Sequence, residues 1–186
     1  MAKPLRKSFS TEELEQIYHR LEDQGMAVQD FGIRIDRDGN WFHQGGLMQR
    51  TALVRMLAGL MLRLADGSYW LVNPGERGRI EVEDAPFIAT TALINGDGAD
   101  QTIDFVTNTE EQVPLDAEHP LRVEEGANAD EPRPYIRLRG RLDARIGRQA
   151  FYDMVEHAEE RDGVFGVMSY GPVSYTHLTL PTKASV

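Results

Sequence analysis

The chain has 186 residues, 41% of them hydrophobic and 27% charged, an ordinary balance for a globular protein that buries about 70% of its unfolded surface without staples. It contains no cysteine, which excludes disulfides, thiolate metal sites and cysteine nucleophiles and fits a reducing, cytoplasmic setting. Its formal charge of -10 argues against nucleic acid and anionic lipid as partners, and its longest apolar run is too short for membrane insertion.

The N-terminus shows no apolar signal-peptide core. The clearest helix spans residues 10–24. Ser10 and Glu13 match a capping box, Phe9 and Leu14 a hydrophobic staple, and Leu14, Ile17, Tyr18 and Leu21 one apolar stripe ending at Gly25. FGIRIDRDGNWFHQGG then reads as two strands around Asp38-Gly39. Residues 47–64, LMQRTALVRMLAGLMLRL, are apolar on most sides and predict one buried helix. Strands are expected at 68–73, 79–83 and 87–94, with a turn at Pro74-Gly75. The Gly- and Asp-rich NGDGADQ reads as a linker, with the domain boundary at 96–101. Beyond it come strands at 102–107, near Val113 and at 121–123, then a loop over 124–134. The alternating YIRLRGRL predicts a strand over 135–142, ARIGRQAFYDMVEHAEE a helix, and DGVFGVMSYG a last strand.

A repeat runs through this order. Residues 47–57 align with 145–155, pairing Arg50 with Arg148, Ala52 with Ala150, Leu53 with Phe151 and Met56 with Met154. Asp66-Gly67 aligns with Asp162-Gly163 further on. The expected fold class is therefore α+β, with two duplicated β-helix-β subdomains behind an N-terminal helix. The expected layout is an arm and helix at 1–28, a first subdomain at 29–95, the linker at 96–101 and a second subdomain at 102–172. The tail VSYTHLTLPTK, 173–183, matches a translated sequencing adapter, so residues 173–186 are read as an artefact and left out of fold reasoning.

Candidate functional residues follow from the pattern. In IEVEDAPFIA a period of two places Ile80, Val82, Ile88 and also Asp84 on one face. An inward carboxylate needs a partner, so Asp84 is expected to face an arginine between the subdomains. Arg50 and Arg148 stand near the starts of the two predicted helices, where a cation opposes the helix dipole unless an anion intervenes. That anion is a ligand phosphate or one of the carboxylates Glu83 and Asp84. In RPYIRLRGRLDARIGR, six arginines accompany one acid, and Arg137, Arg139 and Arg141 share one predicted strand face. This is either a solvated surface or a site for phosphate or an acidic partner. His43, beside Trp41, is either a general base or a packed histidine. Glu76 and Arg77 in NPGERG are read first as turn residues. The histidines show no metal-ligand spacing, and no phosphate loop, dinucleotide fingerprint or nucleophile elbow is present. No cofactor or metal is expected.

IRIDRDGNWFHQGG with the following LVRML, DGSYWLVNPGE and above all IEVEDAPFIA resemble the bacterial domain-of-unknown-function family 1285, over roughly Leu14 to Gly171. The chain departs from that pattern at Gly46-Leu47-Met48, where a small residue and Pro-Ile are usual, and at Arg77, where lysine is. The resemblance implies two duplicated α+β subdomains, the second pleckstrin-homology-like, a nucleotide-like ligand held between them, and a role in signal transduction. The expected function is then a small-molecule-binding regulatory protein. Arg50, Arg148 and Arg139 would meet phosphate, and Trp41 or Phe87 would stack on a base near His43. Glu83 and Asp84 would orient the arginines or bind ribose hydroxyls. The alternatives are an adaptor docking an acidic protein on the arginine strand and, last, an enzyme using Glu83, Asp84 and His43.

Overall fold

A computed structural model of the chain describes residues 9–124, 133–161 and 164–171. They form two compact units. Unit 1 comprises the chain up to Pro86 together with Arg139–Leu142, and unit 2 comprises Phe87–Leu138 and the residues from Asp143 on.

Unit 1 opens with helix α1, Thr11–Asp23. Its expected capping box is formed: the Ser10 hydroxyl accepts the Glu13 N–H at 3.2 Å and the Glu13 carboxylate accepts the Ser10 N–H at 2.9 Å. The helix ends in a Schellman turn, where Met26 N–H reaches the Leu21 carbonyl and left-handed Gly25 reaches that of Glu22. Leu14 and Tyr18 pack on Leu62, Trp70 and Val72, with Phe9 and Ile17 closing the edge. The strands are β1 (Val28–Ile35), β2 (Trp41–His43), β3 (Gly46–Leu47), β4 (Met61–Arg63), β5 (Tyr69–Asn73) and β6 (Glu76–Val82), with helix α2 (Thr51–Ala58) between β3 and β4. They make one six-stranded sheet in the order β3-β2-β1-β6-β5-β4. Two antiparallel meanders meet at a parallel seam between β1 and β6.

Unit 2 repeats this plan. Its strands are β7 (Phe87–Asn95), β8 (Thr102–Thr107), β9 (Gln112–Pro114), β10 (Leu121–Glu124), β11 (Arg133–Arg139) and β12 (Leu142–Ile146). Their order is β10-β11-β12-β7-β8-β9, with β7 and β12 parallel at the seam. Helix α3 (Arg148–Val155) follows, then a hairpin of β13 (Ala158–Arg161) and β14 (Val164–Val167). α3 buries Ala150, Phe151 and Met154. Both units are mostly sheet, and none of the described helices is long and apolar enough to cross a membrane.

Several expectations are corrected. Residues 47–64 are not one buried helix: α2 stops before Gly59, and Met61 and Leu62 enter β4 with both faces buried. A continuous apolar run is compatible with either structure. Only Ala58 of α2 is buried. The residues 96–101 are no linker but the loop of the β7–β8 hairpin, since Gly and Asp serve a tight turn as well as a linker. The single strand expected over 135–142 is two strands folded at Gly140, which holds φ 51°. The strand carrying Asp84 ends at Val82, so the period of two stops there, and Asp84 sits half-buried in a bend. The local order helix, strand, strand does recur after α2 and after α3, but α2 lies between the third and fourth strands of its sheet and α3 after the sixth. Arg50 and Arg148 are thus not equivalent within the duplicated sheets. Asp162-Gly163 and the tail from 172 onward lie outside the described residues.

One irregularity shapes unit 1. Pairing of β1 with β6 slips between Asp30 and Arg34, where Phe31-Gly32-Ile33 bulge and Gly32 takes φ 59°. The Phe31 ring folds over Gly78 of β6. A Cβ at Gly78 would meet that ring and lie 2.6 Å from the Gln29 carbonyl oxygen. Gly78→Ala is expected to cost about 1–3 kcal/mol through this overpacking, read as a lower urea midpoint at unchanged slope. An unchanged midpoint refutes the packing argument.

Candidate functional site

Two hollows of unit 1 flank the bulge in β1, and Ile33 lines both. The first is an open cleft of about 960 Å³ along β1 and β6, with Asp30, Arg34, Ser68, Tyr69, Arg79 and Glu81 among its walls. Gly32, Gly45 and Gly67 line it without side chains, so a ligand can approach the backbone closely. Arg34 is committed: it forms an ion pair with Glu83 and lies over the Phe42 ring at 4.4 Å. Glu83 also accepts the Arg37 N–H at 3.3 Å. The Asp30 carboxylate accepts the Gly32 N–H at 2.8 Å, which fixes the bulge. Arg79 is exposed, and its guanidinium makes no hydrogen bond or ion pair among the described residues. Its charge is felt at Asp66, whose carboxyl is held below the ordinary range chiefly by hydrogen bonds from Ser68, with Arg79 adding to them.

The second hollow is an apolar cavity of about 290 Å³ between α2 and the sheet. Phe31, Ile33, Leu53, Leu57, Leu60 and Leu71 form most of it, and His43, Asn73 and Glu76 supply its polar wall. Those last two satisfy each other: the Asn73 amide donates to the Glu76 carboxylate at 3.1 Å, while its oxygen accepts the Gly75 and Glu76 N–H groups.

The residues singled out in the sequence fall in different places. His43 lines the apolar cavity, and Glu83 reaches the cleft through Arg34. Arg50 is the exposed N-cap of α2, and its guanidinium has no partner among the described residues. Arg139 is half-buried and donates to the Ala58 carbonyl at 2.7 Å, closing the C-terminus of α2. Trp41 is 2% exposed and Phe87 fully buried, so both are core rings with no open face for a base. Arg148 begins α3 and is exposed.

The arginine-rich strand is largely spent on protein acceptors. The buried Asp143 carboxylate takes the Arg137 Nε at 2.6 Å and Arg122 at 3.2 Å, and Arg122 lies over Tyr135. Arg141 pairs with Glu15 at 3.1 Å. Arg77 is likewise structural: buried, bonded to Glu22 at 3.1 Å, and set over Tyr18 and Trp70.

Arg79 and Arg34 were missed in the sequence. The signal was the alternation in ERGRIEV, which puts Arg77, Arg79 and Glu81 on one face of β6. What that alternation does not carry is the reach of α1, which meets Arg77 through Tyr18 and Glu22 and leaves Arg79 open.

Comparison with known proteins places the chain among relatives. Residues 24–85 match the domain of unknown function (DUF1285), N-terminal domain, and residues 86–174 the protein of unknown function (DUF1285), C-terminal domain. A solved DUF1285 family protein from Silicibacter pomeroyi DSS-3 is 35% identical, with a TM-score of 0.71 over 77% of this chain and 78% of that one. Another, from Shewanella baltica OS155, is 19% identical with a TM-score of 0.54 over 68% and 91%, a likeness of fold alone. No curated protein matches the chain.

Proposed function

The chain belongs to the DUF1285 family, and from that premise we propose that it is a small-molecule-binding regulatory protein whose ligand is anionic and nucleotide-like. The observation that carries the reading is Arg79, an open guanidinium in a glycine-edged cleft that also offers carboxylates. Arg79 takes the phosphate, since a guanidinium binds two phosphate oxygens in one plane. Asp30 and Glu81 accept the ribose hydroxyls. The cleft shares Ile33 with the cavity beneath α2, so filling one hollow bears on the shape of the other; that is the basis for a regulatory role. We also read unit 2 as pleckstrin-homology-like, which its two meanders followed by helix α3 support.

The test is thermal unfolding against a nucleotide panel, with inorganic phosphate as control. Ligand at a hundred times its dissociation constant adds about 2.7 kcal/mol, a rise of roughly 2–4 °C per kcal/mol at this size. One nucleotide class should shift the midpoint, phosphate should not, and Arg79→Ala should remove the shift while leaving the unliganded midpoint nearly unchanged. A flat panel, or a shift that survives Arg79→Ala, defeats the proposal.

A further inference from the structure

Helix α2 and the short strand β3 before it leave a patch of apolar surface uncovered, apart from the exposed Met26 and Val28 at the start of β1. Leu47 is 53% exposed, Met56 45% and Leu53 39%. The helix of unit 2 shows what covering looks like: α3 has the same length, and its Phe151 and Met154 are 9% and 0% exposed. Leu53 of α2 also lines the apolar cavity, so the exposed patch runs into a hollow. At about 290 Å³ the hollow lies at the lower limit for a drug-sized ligand, but it has room for one or two large apolar side chains. Of its three polar residues, Asn73 and Glu76 are engaged with each other and only the exposed His43 remains, so the wall favours a largely apolar occupant.

The charge around the patch identifies the occupant. Acids number 30 in the 186 residues, yet residues 39–65 contain none, while Arg50, Arg55 and Arg63 fall within them. α2 itself has no acid in its first turn and Arg55 in its last. A cationic, apolar strip on a chain of charge -10 is a local complement to an acidic segment. An anionic membrane is disfavoured, because a plane of charge meets the whole acidic protein, whereas a peptide lies within a Debye length, about 8 Å, of the strip alone.

We propose that α2 and the cavity beneath it form a docking groove for an acidic amphipathic segment of a partner protein, with a large apolar side chain of that segment seated in the cavity and its acids against Arg50 and Arg55. Methionine and leucine on the strip suit such a helix-in-groove mode.

The experiment uses the full chain and two labelled model peptides, read by fluorescence anisotropy. Both carry Leu and Phe at positions i, i+3, i+4 and i+7; one fills the remaining positions with Glu, the other with Lys. The acidic peptide should bind, at least tenfold more tightly than the basic one and more weakly as salt rises. Arg50→Glu with Arg55→Glu should weaken it at least tenfold, as should Leu53→Asp, with circular dichroism confirming the fold of each variant. Equal binding of both peptides, no binding of the acidic one, or binding unmoved by these substitutions overturns the proposal. So does self-association by sedimentation that competes with the peptide, which assigns the groove to a second copy. Binding to phosphatidylglycerol vesicles without peptide binding assigns it to a membrane surface and equally overturns it.

Discussion

Arg77→Ala is expected to lower the stability of the chain by about 2–3 kcal/mol, through lost cation–π contacts and packing more than through the ion pair, whose other member is half-exposed. The guanidinium is 4.6 Å above the Tyr18 ring and 5.6 Å from that of Trp70, and it bonds to Glu22 at 3.1 Å. The substitution removes two cation–π contacts, about 0.5–2 kcal/mol each, and the stem that fills the space beside α1. Glu22 is half-exposed and regains water, which keeps the ion pair's share small. At this size the midpoint should fall by roughly 2–4 °C per kcal/mol. Arg77→Lys keeps the charge but not the flat stacked group, and should cost less than the alanine. A pH signature accompanies the effect. The hydrogen bond from Arg77 holds the Glu22 carboxyl below its ordinary range. A depressed carboxyl stabilises the fold at pH above its unfolded value, and that contribution is lost as pH falls through the folded one. Arg77→Ala should therefore flatten the acid limb of the stability curve. A midpoint within 2 °C of wild type, or an unchanged acid limb, refutes this account.

Asp143→Ala should cost a similar amount, about 3 kcal/mol, and do something Arg77→Ala does not. The Asp143 side chain is 7% exposed and accepts charge-assisted bonds from Arg137 and Arg122. Each such bond contributes about 1.5–3 kcal/mol, offset because both arginines are more than a third exposed and can be rehydrated. Without the carboxylate, the guanidiniums of Arg137 and Arg122 lose this acceptor, although Arg122 keeps its ion pair with Glu124. The variant should then elute later than wild type from a sulfated polyanion column, at a salt concentration that falls back toward wild type when Arg137→Ala is added. Unchanged elution would mean that Asp143 is not what masks this strand.

How much of this was legible in the sequence depended on the range of the force involved. The capping box at Ser10 and Glu13 lies within three residues, and it formed as expected. Gly25, Asp38-Gly39 and the alternation around Ile136 and Leu138 are also local signals. The 47–64 run failed because its apolarity was real but its cause was not local: Leu62 is buried by α1, some forty residues upstream, and not by helical neighbours. The placing of Asp84 on the apolar face of a strand failed for a related reason, since a period means nothing past the end of a strand. The candidate site was less legible still. Arg77 and Arg79 are two residues apart on one face of one strand, and opposite fates await them because a separate helix reaches only the first. Glu83, one of the two carboxylates expected to meet Arg50, is instead bound by Arg34, forty-nine positions away in sequence but next to it across the β1–β6 seam.

That seam has a kinetic consequence. In each sheet the first strand pairs with the sixth, β1 with β6 and β7 with β12. Each meander can zip locally as hairpins, but neither sheet is whole until its last strand meets its first across the entire intervening chain. Closing such a loop is entropically slow relative to turn formation. On the ribosome, the first sheet cannot close before Val82 has emerged, nor the second before Ile146. Two half-sheets with raw edges must therefore wait, and in refolding the amides that bond across the β1–β6 and β7–β12 seams should gain protection from hydrogen exchange after those that bond within the β1–β2 and β7–β8 hairpins.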